Sequence, residues 1–172
     1  MRLFIASSIE RFPQLEPLFE ELEGISYCRP VRTRELHLTF RFLGEVSEKN
    51  YESLRDGFLG LELKRFTLRI DGLGAFPKPG RAKVLFLNVM EEEQIFEDWR
   101  LISMLPPASE LNDRFVPHIT VARFKRPYDC RELSAKYRSI SFKADAERIS
   151  LYRSLLTPDG PIYNELEKLQ LK

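Results

Sequence analysis

Apolar and polar positions alternate most clearly over residues 36–43, where Leu36, Leu38, Phe40 and Phe42 interleave with His37, Thr39 and Arg41. A period of two predicts a strand with one face in the core and the other polar. Upstream, residues 2–7 read as a strand. Phe12, Leu15, Leu18, Phe19 and Leu22 then recur at helical spacing, with Pro13 tolerated in the first turn. Ser47 is placed to cap a helix running to Leu59 with Tyr51, Leu54 and Phe58 inward, and residues 66–75 return to strand character. The order then repeats: a strand at 84–89, a helix marked by Ile95, Trp99 and Ile102 and stopped by Pro106-Pro107, a strand at 117–124, and a short helix around Leu133 and Tyr137. Strand material fills 140–155. A closing hairpin over 151–169 turns on Thr157-Pro158-Asp159-Gly160, whose Pro and Gly suit adjacent turn positions.

The repetition is close to in register, since Phe4 and Phe86 are 82 positions apart and His37 and His118 are 81 apart. It predicts a duplication, with two lobes in one domain spanning residues 1–172 and no linker of disordered composition between them. At 43% hydrophobic and 12% aromatic, the 172-residue chain has enough apolar material for a core. Residues 1–7 carry one arginine and an apolar run too short for a signal-peptide core. No stretch approaches a membrane span, so a soluble, cytoplasmic protein is expected.

Charge changes this picture only locally. The 27 basic and 26 acidic residues nearly cancel, which argues against a protein that coats nucleic acid through bulk electrostatics. Basic residues nevertheless gather in Arg29-Arg32-Arg34, Lys78-Arg81-Lys83 and Arg123-Lys125-Arg126, each near a histidine or near the Gly/Pro stretch between the histidines. Solvated loop charge and the wall of a binding groove are both open readings. Cys28 and Cys130 have no second Cys or His at metal-ligand spacing and read as free thiols.

The chemistry lies in the two histidines, which share one frame: His37-Leu38-Thr39-Phe40 and His118-Ile119-Thr120-Val121. With five threonines in the chain, the chance that both histidines have Thr two positions later is about one in a thousand. On a strand each His and its Thr project from the same face, so two packed halves would bring two imidazoles and two hydroxyls to one cleft. That set suits phosphodiester chemistry: a neutral imidazole takes a proton, a protonated one gives it, and the hydroxyls donate to phosphate oxygens. A metal held by the histidines would need carboxylates beside them, but the residues sharing their faces are Thr, Arg and Ala, so no metal and no cofactor is expected. Arg41, four residues after His37, should share its face and neutralise phosphate. Strict alternation turns Arg123, five residues after His118, to the opposite face. The Gly72-Leu73-Gly74-Ala75-Phe76-Pro77 stretch fails as a dinucleotide fingerprint, because Pro77 stands at the third glycine's place and no helix follows. Residues 72–80 read as a tight loop rimming the cleft. Phe76 is expected in the core, with base stacking the alternative.

The chain resembles the two-histidine phosphoesterases, in the branch of RNA 2′,3′-cyclic phosphodiesterases or 2′-5′ RNA ligases. The resemblance rests on the opening Met-Arg-Leu-Phe-Ile-Ala, both His-x-Thr-x stretches with their flanks, Gly72 to Pro77, Leu151-Tyr152-Arg153-Ser154 and Gly160-Pro161-Ile162-Tyr163. It implies an α+β, bilobed, duplicated fold in which two antiparallel sheets flank a central groove, with helices outside. It also implies hydrolysis of a terminal 2′,3′-cyclic phosphate on RNA to a 2′-phosphate, with 2′-5′ ligation as the reverse. His37 would be the proton donor to the leaving 3′ oxygen and His118 the base for water; the residues alone leave the two frames equivalent. Thr39 and Thr120 would hold the phosphate, and Arg123 would join them, which requires a local bulge. The family commonly has Lys where this chain has Arg41. The implied partner is RNA with a cyclic phosphate end, tRNA halves among the candidates, acted on by a monomer away from membranes. A phosphodiesterase for small cyclic nucleotides or 2′-5′ oligonucleotides, and a non-catalytic nucleotide- or RNA-binding module, are the competing readings.

Overall fold

The computed structural model describes residues 1–9, 12–32, 35–90, 92–106, 115–158 and 160–172. Arg34, Pro107 and Asp159, named in the readings above, lie outside the described residues. Among the described residues, nine strands and four α-helices follow the order β1 (Arg2–Ser8), α1 (Glu16–Glu23), β2 (Cys28–Pro30), β3 (His37–Glu45), α2 (Glu48–Leu59), β4 (Phe66–Phe76), β5 (Ala82–Val89), α3 (Glu93–Ser103), β6 (His118–Tyr128), α4 (Arg131–Lys136), β7 (Ser141–Ala146), β8 (Arg148–Thr157) and β9 (Gly160–Gln170). The helix expected from Ser47 is α2, where the Ser47 hydroxyl accepts from the Asn50 amide and Leu54 and Phe58 are buried.

The described strand pairs are antiparallel, in the spatial order β7-β4-β5-β6-β3-β1-β8-β9, with β2 added beside β6. The order is symmetric about its middle: β3, β1 and β8 on one side answer β6, β5 and β4 on the other. The two arms touch through one described pair, Leu38 with Ile119, so the two expected sheets form one curled sheet that opens at its centre. Leu38 and Ile119 are both fully buried, which anchors the junction in the core while their neighbours turn to the groove.

Each central strand carries a bulge at the same place in its frame. On β1 and β3, Ile5 pairs with Arg41 and Ala6 with Thr39; on β5 and β6, Leu85 pairs with Ala122 and Phe86 with Thr120. The extra residue is Phe40 in one strand and Val121 in the other, and both are buried together with the residue that follows. A bulge reverses the alternation beyond it, so Phe42 and Arg123 return to the face of the histidines.

This overturns the expectation for Arg41. It is buried on the opposite face, where its Nη1 donates to Leu105 O at 2.7 Å and to Ile102 O at 3.2 Å at the C-terminal end of α3. The Ile102 carbonyl also accepts from the Leu105 amide at 3.2 Å, and a cation there meets the negative end of the helix dipole. Arg41→Met is therefore expected to cost about 2–4 kcal/mol in urea unfolding, by stranding buried carbonyls. Turnover per folded molecule should remain within threefold; a hundredfold fall with unchanged stability would place Arg41 back in the site.

One further expectation changes, and one strand was not foreseen. Residues 72–76 belong to β4, and Gly72, at φ +69°, marks the register shift between Ile70 and Leu73. The three-residue β2, which contains Pro30, carried no periodic signal. Cys28 is half-buried, Cys130 is buried, and both are free; burial pushes the Cys28 thiol up to about 11. Among the described residues no helix is long and apolar enough to cross a membrane.

Candidate active site

The groove forms where β3 and β6 separate. Antiparallel pairing of Leu38 with Ile119 sets His37 across from Thr120 and Thr39 across from His118, so each imidazole faces the hydroxyl of the other frame. Neither threonine hydroxyl has a hydrogen-bond partner among the described residues, which leaves both able to donate to a ligand.

The two imidazoles are held identically. Nδ1 of His37 lies 2.6 Å from Glu35 O, and Nδ1 of His118 lies 2.8 Å from Val116 O. A carbonyl only accepts, so Nδ1 must carry the hydrogen in each ring. Nε2 is then a proton acceptor in the neutral ring and a donor in the cation, as acid-base chemistry requires. Aromatic rings fix both planes. Phe4 lies 5.3 Å and Tyr163 5.4 Å from His37 between centroids, and Phe86 and Phe76 each lie 5.1 Å from His118. Phe4 and Phe86 are the pair separated by 82 in sequence. Phe76, expected in the core, sits at the rim beside His118.

Arg123 stands on the groove face next to the bulge, and its charge reaches both imidazoles and the Tyr163 hydroxyl. Burial holds both histidines below the usual imidazole range. Their carbonyl hydrogen bonds oppose the shift, and the Arg123 cation pushes both further down; His118 adds to it at His37. At the position equivalent to Arg123 the first frame has Phe42, which is 69% exposed. The site is thus symmetric in its histidines and threonines and asymmetric in charge. Among the described residues no three His, Cys, Asp or Glu side chains are grouped as a metal would need. A cavity of about 1410 Å³ is lined by α1 and by residues of β7 and β8 and contains neither histidine, so it is separate from the paired imidazoles.

Gly74 matters to this geometry. A Cβ there would collide with Phe86 Cε2 and lie 2.6 Å from Asn88 Oδ1, so Gly74→Ala must drive the Phe86 ring towards His118. We expect a loss of about tenfold or more in kcat/KM, since an ångström of misplacement at a catalytic group is costly. The nuclear magnetic resonance signals of the His118 ring should move while those of His37 stay; unchanged kinetics would mean that the ring finds other space.

The model of the LigT-like phosphoesterases matches residues 9–86 and 103–163, and the chain belongs to that family. A relative in Archaeoglobus fulgidus named RNA 2′,3′-cyclic phosphodiesterase is 34% identical over 175 residues, covering 96% of this chain and 98% of that protein. A protein of the same name in Methanocaldococcus jannaschii is 29% identical, covering 98% and 99%. The crystal structure of a Thermus thermophilus protein superposes with a TM-score of 0.74 at 29% identity, covering 99% of this chain and 98% of that one. E. coli LigT, solved with 3′-AMP, has the same fold, with a TM-score of 0.74 at 22% identity and coverage of 99% and 97%.

Proposed function

We propose that the protein hydrolyses the 2′,3′-cyclic phosphate at the 3′ end of RNA to a 2′-phosphomonoester without a metal. The observation that carries this reading is the matched pair of imidazoles, each tied through Nδ1 to a carbonyl and each opposite a threonine hydroxyl that lacks a partner among the described residues. Thr39, Thr120 and Arg123 hold the non-bridging oxygens. His118, neutral, takes a proton from water at Nε2 as the oxygen bonds to phosphorus. The bond from phosphorus to O3′ breaks, and His37, protonated at Nε2, gives its proton to O3′. Exchange with solvent restores both rings. The negative charge of the bound diester opposes the downward shift of His37 and keeps the donor charged. With a 5′-hydroxyl RNA in place of water, the same path makes a 2′-5′ linkage, and its reverse cleaves one. The A. fulgidus and M. jannaschii relatives carry the name of this activity.

The test is to incubate the protein in EDTA with a short RNA ending in 2′,3′-cyclic phosphate and to identify the product end by mass and phosphatase digestion. A 2′-phosphate formed at an undiminished rate is expected. An unchanged substrate, or activity lost in EDTA and restored by a divalent metal, would overturn the reading.

A further inference from the structure

Members of the three basic clusters, scattered in sequence, meet around β6: Arg29, Lys83, Arg123, Lys125 and Arg126. Strand β2 pairs with β6 so that Arg29 lies directly opposite Arg123, and both are exposed on the groove face. Lys125 follows two residues on, its amide bonded to Tyr27 O. Lys83 of β5 donates through Nζ to Lys125 O at 3.3 Å. Arg126 stacks over the Tyr27 ring at 4.0 Å and closes the edge. Like charges directly opposite on a sheet are unfavourable unless something compensates. Arg29, Lys83, Arg123 and Lys125 meet no carboxylate among the described residues; the described hydrogen bond of Arg29 goes to Pro158 O at 3.5 Å.

The other arm is more aromatic and of mixed charge, with the Arg2 charge acting on Tyr163. Its groove face carries Phe4, Phe42, Tyr152 and Tyr163, with Glu165 bound to the Ser150 hydroxyl and near Arg148. The cations without a carboxylate partner among the described residues thus lie over β6 and β2, where a polyanion leaving the histidines would be drawn.

We infer that Arg29 and Lys125 form a subsite for the phosphodiester backbone upstream of the cyclic end, so that the substrate is single-stranded RNA of several nucleotides rather than a cyclic mononucleotide. The inference rests on the phosphodiesterase reading above. A 2′,3′-cyclic phosphate can only terminate the 3′ end of a chain, so every other phosphate of the substrate lies to its 5′ side. Arg123 at the cyclic phosphate and Arg29 about 5 Å across the strands then meet successive phosphates. The contacts are to the backbone and carry no base preference.

The experiment compares kcat/KM for uridine 2′,3′-cyclic phosphate and for a tetranucleotide with the same end, over a range of salt, in wild type, Arg29→Gln and Arg29→Gln/Lys125→Gln. The ratio of tetranucleotide to mononucleotide should be well above one in the wild type and fall about tenfold in Arg29→Gln. The salt dependence for the tetranucleotide should flatten by about 0.7 in log-log slope per cation removed. A wild-type ratio near one, or a ratio and slope unchanged in the double variant, overturns the subsite while leaving hydrolysis intact. Turnover of neither substrate overturns the phosphodiesterase reading and the subsite with it.

Discussion

Substituting either histidine by alanine is expected to lower kcat about a thousandfold or more, since a positioned general acid or base contributes roughly 10²–10⁴ each and the two act in one step. Both rings sit against aromatic neighbours. Glutamine variants, which can still donate to the carbonyls of Glu35 and Val116, separate lost chemistry from lost packing and should be equally inactive. The two roles are separable with a nucleotide ester whose leaving group is a nitrophenolate. Such a group departs without a proton, so His37→Ala should retain most of its rate on it and His118→Ala should not. The opposite pattern would exchange the roles, and losses under tenfold in both variants would remove acid-base catalysis by these histidines altogether.

The parts of this site legible in the sequence are those set by strict alternation. His37 with Thr39, and His118 with Thr120, lie before any irregularity, and a period of two suffices to put each pair on one face. Everything beyond the fourth position of the frame depends on the bulge, which leaves little trace in composition. In the second frame Val121-Ala122 is a double apolar step that hints at it. In the first, Arg41 occupies the matching position and hides it, because an arginine reads as solvent-facing even where its guanidinium caps a helix. The duplication held the missing signal: laying one frame on the other matches Arg41 to the buried Ala122, and Phe42 to Arg123. The rings that orient the histidines were half visible. Phe4 and Phe86 marked the repeat without being assigned a place beside the imidazoles, and Tyr163 belongs to a strand that reaches His37 only through the sheet order. Long-range pairing also hid the basic arm, since Arg29 and Arg123 are 94 residues apart and meet through a strand of three residues. The glycines at 72 and 74 look like a loop in one dimension; in the sheet one accommodates a register shift and the other the close approach of Phe86.

Removing the Arg123 charge should change both the height and the position of the pH profile. Arg123→Gln deletes a cation from the proposed phosphate site, which is expected to cost about 10²- to 10³-fold in kcat/KM, the scale seen when one preorganised donor to a developing charge is lost. The sign of the pH effect follows from its action on the rings. A nearby cation disfavours the imidazolium, so Arg123 lowers both histidines, and its removal must raise both. The acid limb of kcat/KM, where the base gains a proton, and the alkaline limb, where the acid loses one, should therefore both move to higher pH. They should stay below the ordinary imidazole value, because burial is the larger cause at each ring. Arg123→Lys keeps the charge but gives up the planar two-point contact with phosphate. It should leave the limbs nearly in place while still losing activity, which separates the field of the guanidinium from its geometry. A profile that does not move in Arg123→Gln would mean that the cation is screened from the rings, and that its contribution is to binding alone.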